Sequence, residues 1–310
     1  MNEFELIARL SAALPSHAGV IAGAGDDCAV LDSGQPGRAL LFKTDAVVEG
    51  IHFLPAAQPE SIGHKALARG LSDIAAMAGR PLAALVTLAL PKNFDPEFIA
   101  RIYDGMNLLA RRHGVAIVGG ETTSNPERLL ISVALLGEVA RDQCVLRSGA
   151  RDGDALFVTG DLGGSLAGKH LEFEPRLAEG RWLAEHFSIH AMIDLSDGLA
   201  GDLRHLLERS QVGAELLARS IPISRAARAR ARTETPSKPP LAAALTDGED
   251  YELLFTVAAR DAVPLADAWR KQFPKLRLSC IGKITAAPGL NLRDAQGVRA
   301  LEDHGYVHFS

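Results

Sequence analysis

From residue 38 to residue 284, strand-like runs alternate with runs whose apolar side chains recur at helical spacing. A chain patterned this way folds as strands packed against helices. "RALLF" (38–42) is strand-like and is expected to break at Lys43-Thr44-Asp45. Ile62, Ala66, Leu67, Leu71, Ile74 and Ala75 form one stripe of a helix over 61–78. "LAALVTLAL" reads as a buried strand, and "PEFIARIYDGMNLLARRHG" as a helix entered through Pro96 and closed by Gly114. "VAIVGG" and "RLLISVALLGEV" add two strands. Turn chemistry in "RSGARDGD" (147–154) interrupts the pattern, which places a domain boundary close by and divides the chain into 1–140 and 141–310. A second set comes after it: strand "ALFVTG", helix "GGSLAGKHL", strand "AMIDLS", helix "GLAGDLRHLLERS", then strand-like "YELLFTV" and "RLSCIGKI". The basic stretch "RAARARARTETPSKPP" (225–240) reads as a solvated helix running into a loop rather than a phosphate-binding patch.

At 310 residues the chain exceeds what one core usually holds, in keeping with two domains. A formal charge of −5 argues against a nucleic-acid binder. Cys28, Cys144 and Cys280 lie far apart without a CxxC pair, which suits a reducing cytosol and supports neither a disulfide framework nor a zinc site. The acidic opening "MNEFELIARL" lacks the basic region of a secretory leader and reads as an amphipathic helix. The longest apolar run is far short of a membrane span. A cytoplasmic protein with no membrane partner is expected.

Several acids stand where an apolar run ends or the backbone turns: Asp26 and Asp27 in "GAGDDCAVL", Asp45, Glu121 in "VGGETTSN", and Asp194 and Asp197 in "IDLSDGL". "TDGEDYELLF" adds Asp247, Glu249 and Asp250. Singly, each is explained by local hydrogen bonding in turns and at helix starts; Ser196 or Asp197 would cap the helix that follows them. Asp73 is different, because it falls inside a helix on or beside the apolar face and needs a partner there. Crowded carboxylates repel unless cations neutralise them, and hard oxygen ligands favour Mg²⁺ completed by substrate phosphates. A triphosphate could approach such an acidic cleft only through divalent metal.

Three familiar site types fail. "GGSLAGKH" (163–170) has His170 where a P-loop needs Ser or Thr, and its Lys169 falls within the expected helix instead of at a helix entrance. No GxGxxG opens a strand–helix–strand unit, and no GxSxG elbow exists.

"GDDCAVL", "KTDAVVEGIHF", "KALARGLSDIAAMAGRP", "VGGETTSNP", "VTGDLGGSLAG", "IDLSDGLAGDL", "GEDYELLF" and the terminal "GYVHF" together resemble the thiamine-monophosphate kinase family, in its order and over nearly the whole chain. The resemblance implies an α/β (α+β) chain with the two-domain aminoimidazole-ribonucleotide-synthetase-like fold, each domain a mixed sheet packed with helices. It implies ATP-dependent phosphorylation of thiamine monophosphate to thiamine diphosphate, with several Mg²⁺ ions, in a homodimer joined through the N-terminal domains. Carried over by motif, Asp27, Thr44, Asp45, Asp73, Glu121, Asp194 and Asp197 would hold metal. Gly120, Glu121, Arg147 and Ser196 would meet ATP, with Tyr103 beside them, and His52, Glu249 and Tyr306 would face the thiamine phosphate. Asp45, Asp194 and Arg147 would carry catalysis.

Plainer readings stand beside these: His52 as a packed core histidine, Arg147 as a linker residue, Tyr306 as C-terminal packing. Asp26 and Asp202 read as turn and helix-surface acids. The family usually has Asp where this chain has Glu121, whose extra methylene displaces the carboxylate by roughly 1.5 Å. Lys43 is a second departure, able to pair with an acid or approach phosphate. An aminoimidazole-ribonucleotide-synthetase-type ligase and a catalytically silent nucleotide- or thiamine-phosphate-binding module are the alternatives.

Overall fold

The computed structural model describes residues 3–302 and residue 305. After helix α1 (Glu3–Ser11), the first half supplies β1 (Val20–Ala22), β2 (Ala29–Asp32), β3 (Arg38–Val48), helix α2 (Pro59–Ala76), β4 (Arg80–Leu90), helix α3 (Pro96–His113), β5 (Ala116–Ser124) and β6 (Leu130–Ala140). The strands form a six-stranded sheet in the order β1-β2-β3-β6-β4-β5. Among these strands only β4 and β5 run parallel, as the α3 crossover between them requires. The second half supplies β7 (Ala155–Thr159), α4 (Lys169–Glu172), α5 (Leu177–His186), β8 (Ile189–Asp194), α6 (Leu199–Ser210), β9 (Gly213–Leu217), α7 (Arg225–Thr233), α8 (Pro240–Thr246), β10 (Leu253–Val257), α9 (Ala262–Gln272), β11 (Leu278–Thr285), β12 (Gly289–Asp294) and β13 (Gly297–Ala300). Its seven-stranded sheet runs β13-β12-β9-β11-β7-β10-β8, with β12 parallel to β9.

Helix α2 is the hub. Pro59 opens it without wasting a hydrogen bond, and fifteen of its eighteen residues are buried. One side packs on β3, β4 and β6, another on α3, and a third on α4, α5 and β8 of the second half. Small residues permit that approach: a Cβ on Gly63 would lie 1.8 Å from the Ile102 carbonyl oxygen, and one on Gly105 1.9 Å from that of Glu60. Fully buried Leu67, Leu71 and Ile74 each contribute roughly 1.5–3 kcal/mol by leaving water. Strands β7, β8 and β10 then alternate. Phe157, Met192, Leu253 and Phe255 join the core around α2, while Leu156, Val158, Ile193 and Leu254 build a second core with α6.

Helix α3 follows its sequence signals. Asp95 accepts from the Glu97 amide at 3.0 Å, Pro96 is the first residue, and Gly114 closes the helix in the left-handed region at φ 68°. Elsewhere the tertiary structure overrides local signals. Strand β3 does not break at Lys43, because every residue from Arg38 to Val48 is paired with β6. The polar residues alternate across the sheet instead. The glycine-rich "VAIVGG" run likewise continues as β5 to Ser124. The helix expected over 163–171 is a short 3₁₀ turn (Ser165–Ala167) and α4, divided at Gly168 with φ 136°. Lys169 is therefore the first residue of a helix, but its ammonium goes to buried Glu252 at 2.8 Å, so the segment is still no phosphate cradle.

Candidate active site

The two halves meet over three buried carboxylates. Asp27 lies in the loop between β1 and β2, Asp73 near the end of α2, and Asp194 at the end of β8. One oxygen from each falls within 4.8 Å of the others. Asp194 accepts from Ser72 Oγ at 2.6 Å, a bond that ties β8 to α2 across the halves. The Asp194 carboxyl is pushed up to about 7 by burial and by the negative charge of Asp27.

Protein cations already meet part of this charge. Lys43 Nζ donates to Asp73 Oδ1 at 2.8 Å. Burial opposes the Lys43 charge, but Asp73 and Asp45 outweigh it and raise the ammonium's pKa. The mid-helix aspartate therefore has the partner its position demands. Arg147 Nη2 donates to Asp27 Oδ1 at 2.7 Å, while the Arg147 amide donates to Asp26 Oδ1 at 2.6 Å. Both acids of "GDDC" thus clamp the segment between the sheets, and Asp26 is more than a turn residue. Asp27 Oδ2 is buried and has no partner among the described residues. An orphan carboxylate oxygen beside two further buried acids is a donor set that fits a hard cation such as Mg²⁺.

Beside this cluster a pocket is lined by Ile51, His52, Arg69, Leu166, Ser196, Asp197, Asp247, Glu249 and Tyr251. Its floor is held across the halves by Lys65, which is fully buried on α2. Lys65 Nζ donates to the His52 carbonyl oxygen at 2.7 Å and to Glu249 Oε2, and lies 2.8 Å from His170 Nδ1. Burial favours a protonated Glu249, but His170 and Lys65 overcome it and hold the carboxyl down at about 2. Burial draws Lys65 down to about 8, which still leaves an ion pair at neutral pH. Glu249 and Tyr251 both occupy the left-handed region, at φ 58° and 51°. Backbone bonds from the Glu249 amide to the Ser196 carbonyl oxygen and from the Tyr251 amide to that of Leu195 hold this strained loop. Tyr251 also stacks on Phe173, with ring centroids 3.9 Å apart.

The remaining expected residues scatter more widely. Asp45 faces inward, 3.5 Å from Arg69 Nη2. Thr44 points to the opposite face of the sheet, where its hydroxyl lies 3.3 Å from Ser132 Oγ. Gly120 and Glu121 are exposed on β5, and Glu121 Oε1 accepts from the adjacent Thr122 amide at 3.1 Å. Tyr103 is half-buried on α3, and Tyr306 lies outside the described residues. His52 accepts the Val48 amide through Nδ1 at 3.1 Å, so the ring is held in place at the pocket wall. One local expectation fails. Gly198, which has no side chain, stands at the N-cap of α6, and Asp202 Oδ2 accepts the Asp197 amide at 3.0 Å. Asp202 is consequently buried, not a helix-surface acid.

Lys65, Arg69, Ser72, His170 and Tyr251 carry no site assignment from the sequence. The signal for the first two is present there: Lys65, Arg69 and Asp73 follow at four-residue steps and share one face of α2.

Models of the AIR synthase related protein family match the chain, its N-terminal domain over residues 25–139 and its C-terminal domain over 151–295. The chain is 41% identical over 297 residues to the thiamine-monophosphate kinase of Rhodopirellula baltica, covering 93% of this chain and 92% of that protein. It is 34% identical to the enzyme of the same name from Bacillus subtilis, with both chains covered fully. A solved structure described as AaThiL complexed with AMPPCP and TMP superposes with a TM-score of 0.80 at 33% identity, covering 99% of this chain and 97% of that one. The fold is thus a pair of AIR-synthase-like domains, each a mixed sheet packed with helices, and the chain belongs to the thiamine-monophosphate kinase family of AIR synthase related proteins.

Proposed function

We propose that this protein transfers the terminal phosphate of ATP to thiamine monophosphate, yielding thiamine diphosphate and ADP. The observation that carries this reading is the convergence of Asp27, Asp73 and Asp194 from both halves, beside a pocket that joins acidic and aromatic side chains. A cationic thiazolium suits Glu249 and the Tyr251 ring. The solved relative described as complexed with AMPPCP and TMP supports this pair of ligands.

The acceptor phosphate is already ionised at neutral pH, so the reaction needs no side-chain base. Catalysis becomes positioning and charge neutralisation. Arg147 is a fixed cation at the seam between the halves, and Ser196 lines the pocket on the side of Asp194. Asp27, Asp73 and Asp194, with Asp45 and Asp197 nearby, would hold Mg²⁺, which supplies neutralisation of the phosphates of donor and acceptor. Gly120 and Glu121 are open to a nucleotide on β5; His52, Glu249 and Tyr306 serve the thiamine phosphate. Thr44 has only its main chain to offer this side of the sheet. The working unit consists of domains 1–140 and 141–310, and a cytoplasmic setting suits its substrates. Incubation with ATP, Mg²⁺ and thiamine monophosphate is expected to release thiamine diphosphate and ADP in equal amounts. Folded protein that forms neither, or that instead turns over formylglycinamidine ribonucleotide, would refute the reading.

A homodimer completes the proposal. Helices α2 and α3 pack on the first sheet. Its other face leaves Phe42, Leu85 and Val118 between 47% and 63% exposed. An apolar sheet face of this kind is a docking surface. Phe42→Asp is expected to yield monomers in light scattering, with the circular dichroism of the parent. A dimer unaffected by that charge would place the interface elsewhere.

A further inference from the structure

Arg69 stands between the two parts of the site. One turn before it on α2, Lys65 secures Glu249; one turn after it, Asp73 joins the acid cluster. The Arg69 side chain is 15% exposed, and that exposed part lines the pocket with His52, Ser196, Glu249 and Tyr251. Among the described residues no other lysine or arginine lines that pocket, whereas Asp197, Asp247 and Glu249 all do.

The guanidinium is poorly satisfied by protein. Nη1 donates to the Ala46 carbonyl oxygen at 3.3 Å, Nη2 lies 3.5 Å from Asp45 Oδ1, and Nε is buried with no partner among the described residues. Arginines with a purely structural role in this chain are bound more tightly. Arg176 donates from both Nε and Nη2 to Glu252 at 2.8 Å, and Arg293 does the same to Glu215 at 2.9 Å. A guanidinium with five donors in a fixed fork, loosely anchored at a pocket wall, is prepared for a planar or tetrahedral oxyanion.

A role for this cation rests on the protein being a thiamine-monophosphate kinase, whose substrate has a cationic ring at one end and a phosphate dianion at the other. Glu249 and Tyr251 suit the ring, but every carboxylate around the pocket repels the phosphate. We propose that Arg69 is the docking cation for the acceptor phosphate. It holds that group next to Asp45 and the acid cluster, and it makes the pocket prefer phosphorylated over unphosphorylated thiamine.

The test is calorimetric titration of the Mg²⁺-loaded wild-type protein, Arg69→Met and Arg69→Lys with thiamine monophosphate and separately with thiamine. Arg69→Met is expected to weaken thiamine monophosphate by roughly 10–100-fold, as loss of a charge-assisted bidentate contact does. Thiamine affinity and the KM for ATP should stay within about twofold, because neither ligand end meets Arg69. Arg69→Lys should recover part of the loss by restoring the charge without the fork. Unchanged affinity for thiamine monophosphate in Arg69→Met overturns the assignment, and so does an equal loss for both thiamine forms, which marks a structural role. If Arg69→Met does not fold, Arg69→Lys decides: a selective loss for thiamine monophosphate supports the assignment, and parity with wild type overturns it. Wild-type protein that binds neither form and makes no thiamine diphosphate would instead sink the kinase reading itself.

Discussion

Asp194→Asn is expected to lower kcat for thiamine diphosphate formation by roughly 10²–10³-fold while leaving the protein folded. Asn can still accept the 2.6 Å bond from Ser72, so the tie between β8 and α2 survives and only the charge is lost. The same substitution has an opposite effect on stability without metal. The folded-state pKa of Asp194 is raised from 3.8 to about 7, so the folded protein binds more protons than the unfolded chain between those values. The stability this provides is complete below pH 3.8 and is lost as pH rises through about 7. Metal-free wild type should therefore be less stable at pH 7.5 than at pH 5.5, by up to roughly 2 kcal/mol. Mg²⁺ should restore it by binding only the folded acid cluster. In Asp194→Asn both the pH slope and the Mg²⁺ stabilisation should shrink. Denaturant midpoints at two pH values, with and without Mg²⁺, check this, and a variant with normal turnover or an unchanged Mg²⁺ response would remove Asp194 from the metal site.

Lys65→Met is expected to cost roughly 3–5 kcal/mol of stability, the usual consequence of leaving one buried partner charged and unpaired. Glu249 would keep His170 at 3.0 Å and the Tyr251 hydroxyl at 3.4 Å, neither of them a fixed cation. With its cation gone, the carboxylate proposed to face the thiamine ring loses its fixed position, so the KM for thiamine monophosphate should rise about tenfold or more. The KM for ATP should change little. The double variant Lys65→Met/Glu249→Gln should regain most of the stability but none of the substrate affinity, because the buried charge is removed with its partner. Equal stability of the single and double variants would show that the Lys65–Glu249 pair is not coupled.

How far local sequence reaches is clear from particular elements. Helix α3 is legible at both ends because Asp95, Pro96 and Gly114 act through their own backbone geometry. The acids of "GDDC", "LSDIAAMAG" and "DLSDGL" point to a charged site, since glycine turns and a mid-helix aspartate are local facts. Strand β3 is misjudged at Lys43-Thr44-Asp45 because polar residues are normally poor strand interior. Full pairing with β6, almost 90 residues later in the chain, overrides that weak preference. Asp202 is misjudged for a related reason. Its helix position is ordinary, and only the fold of the preceding turn buries it and makes it the acceptor for Asp197.

The main alternation of strands and helices, though not β1, β2, α5, β9, α8, α9, β12 or β13, a set of acids that suits a metal–phosphate site, and the family resemblance were legible in the sequence alone. These follow from periodicity and from motifs, which are properties of neighbours along the chain. Which acids meet, and which cation each receives, was decided only by tertiary structure. Asp27, Asp73 and Asp194 converge because α2 is buried between the two halves, with its Lys65–Arg69–Asp73 face turned toward the seam. Lys43 pairs with Asp73 because strand alternation turns it inward while Thr44 turns out. Both depend on contacts over large sequence separations in a low-dielectric interior, where an unpaired charge costs several kcal/mol.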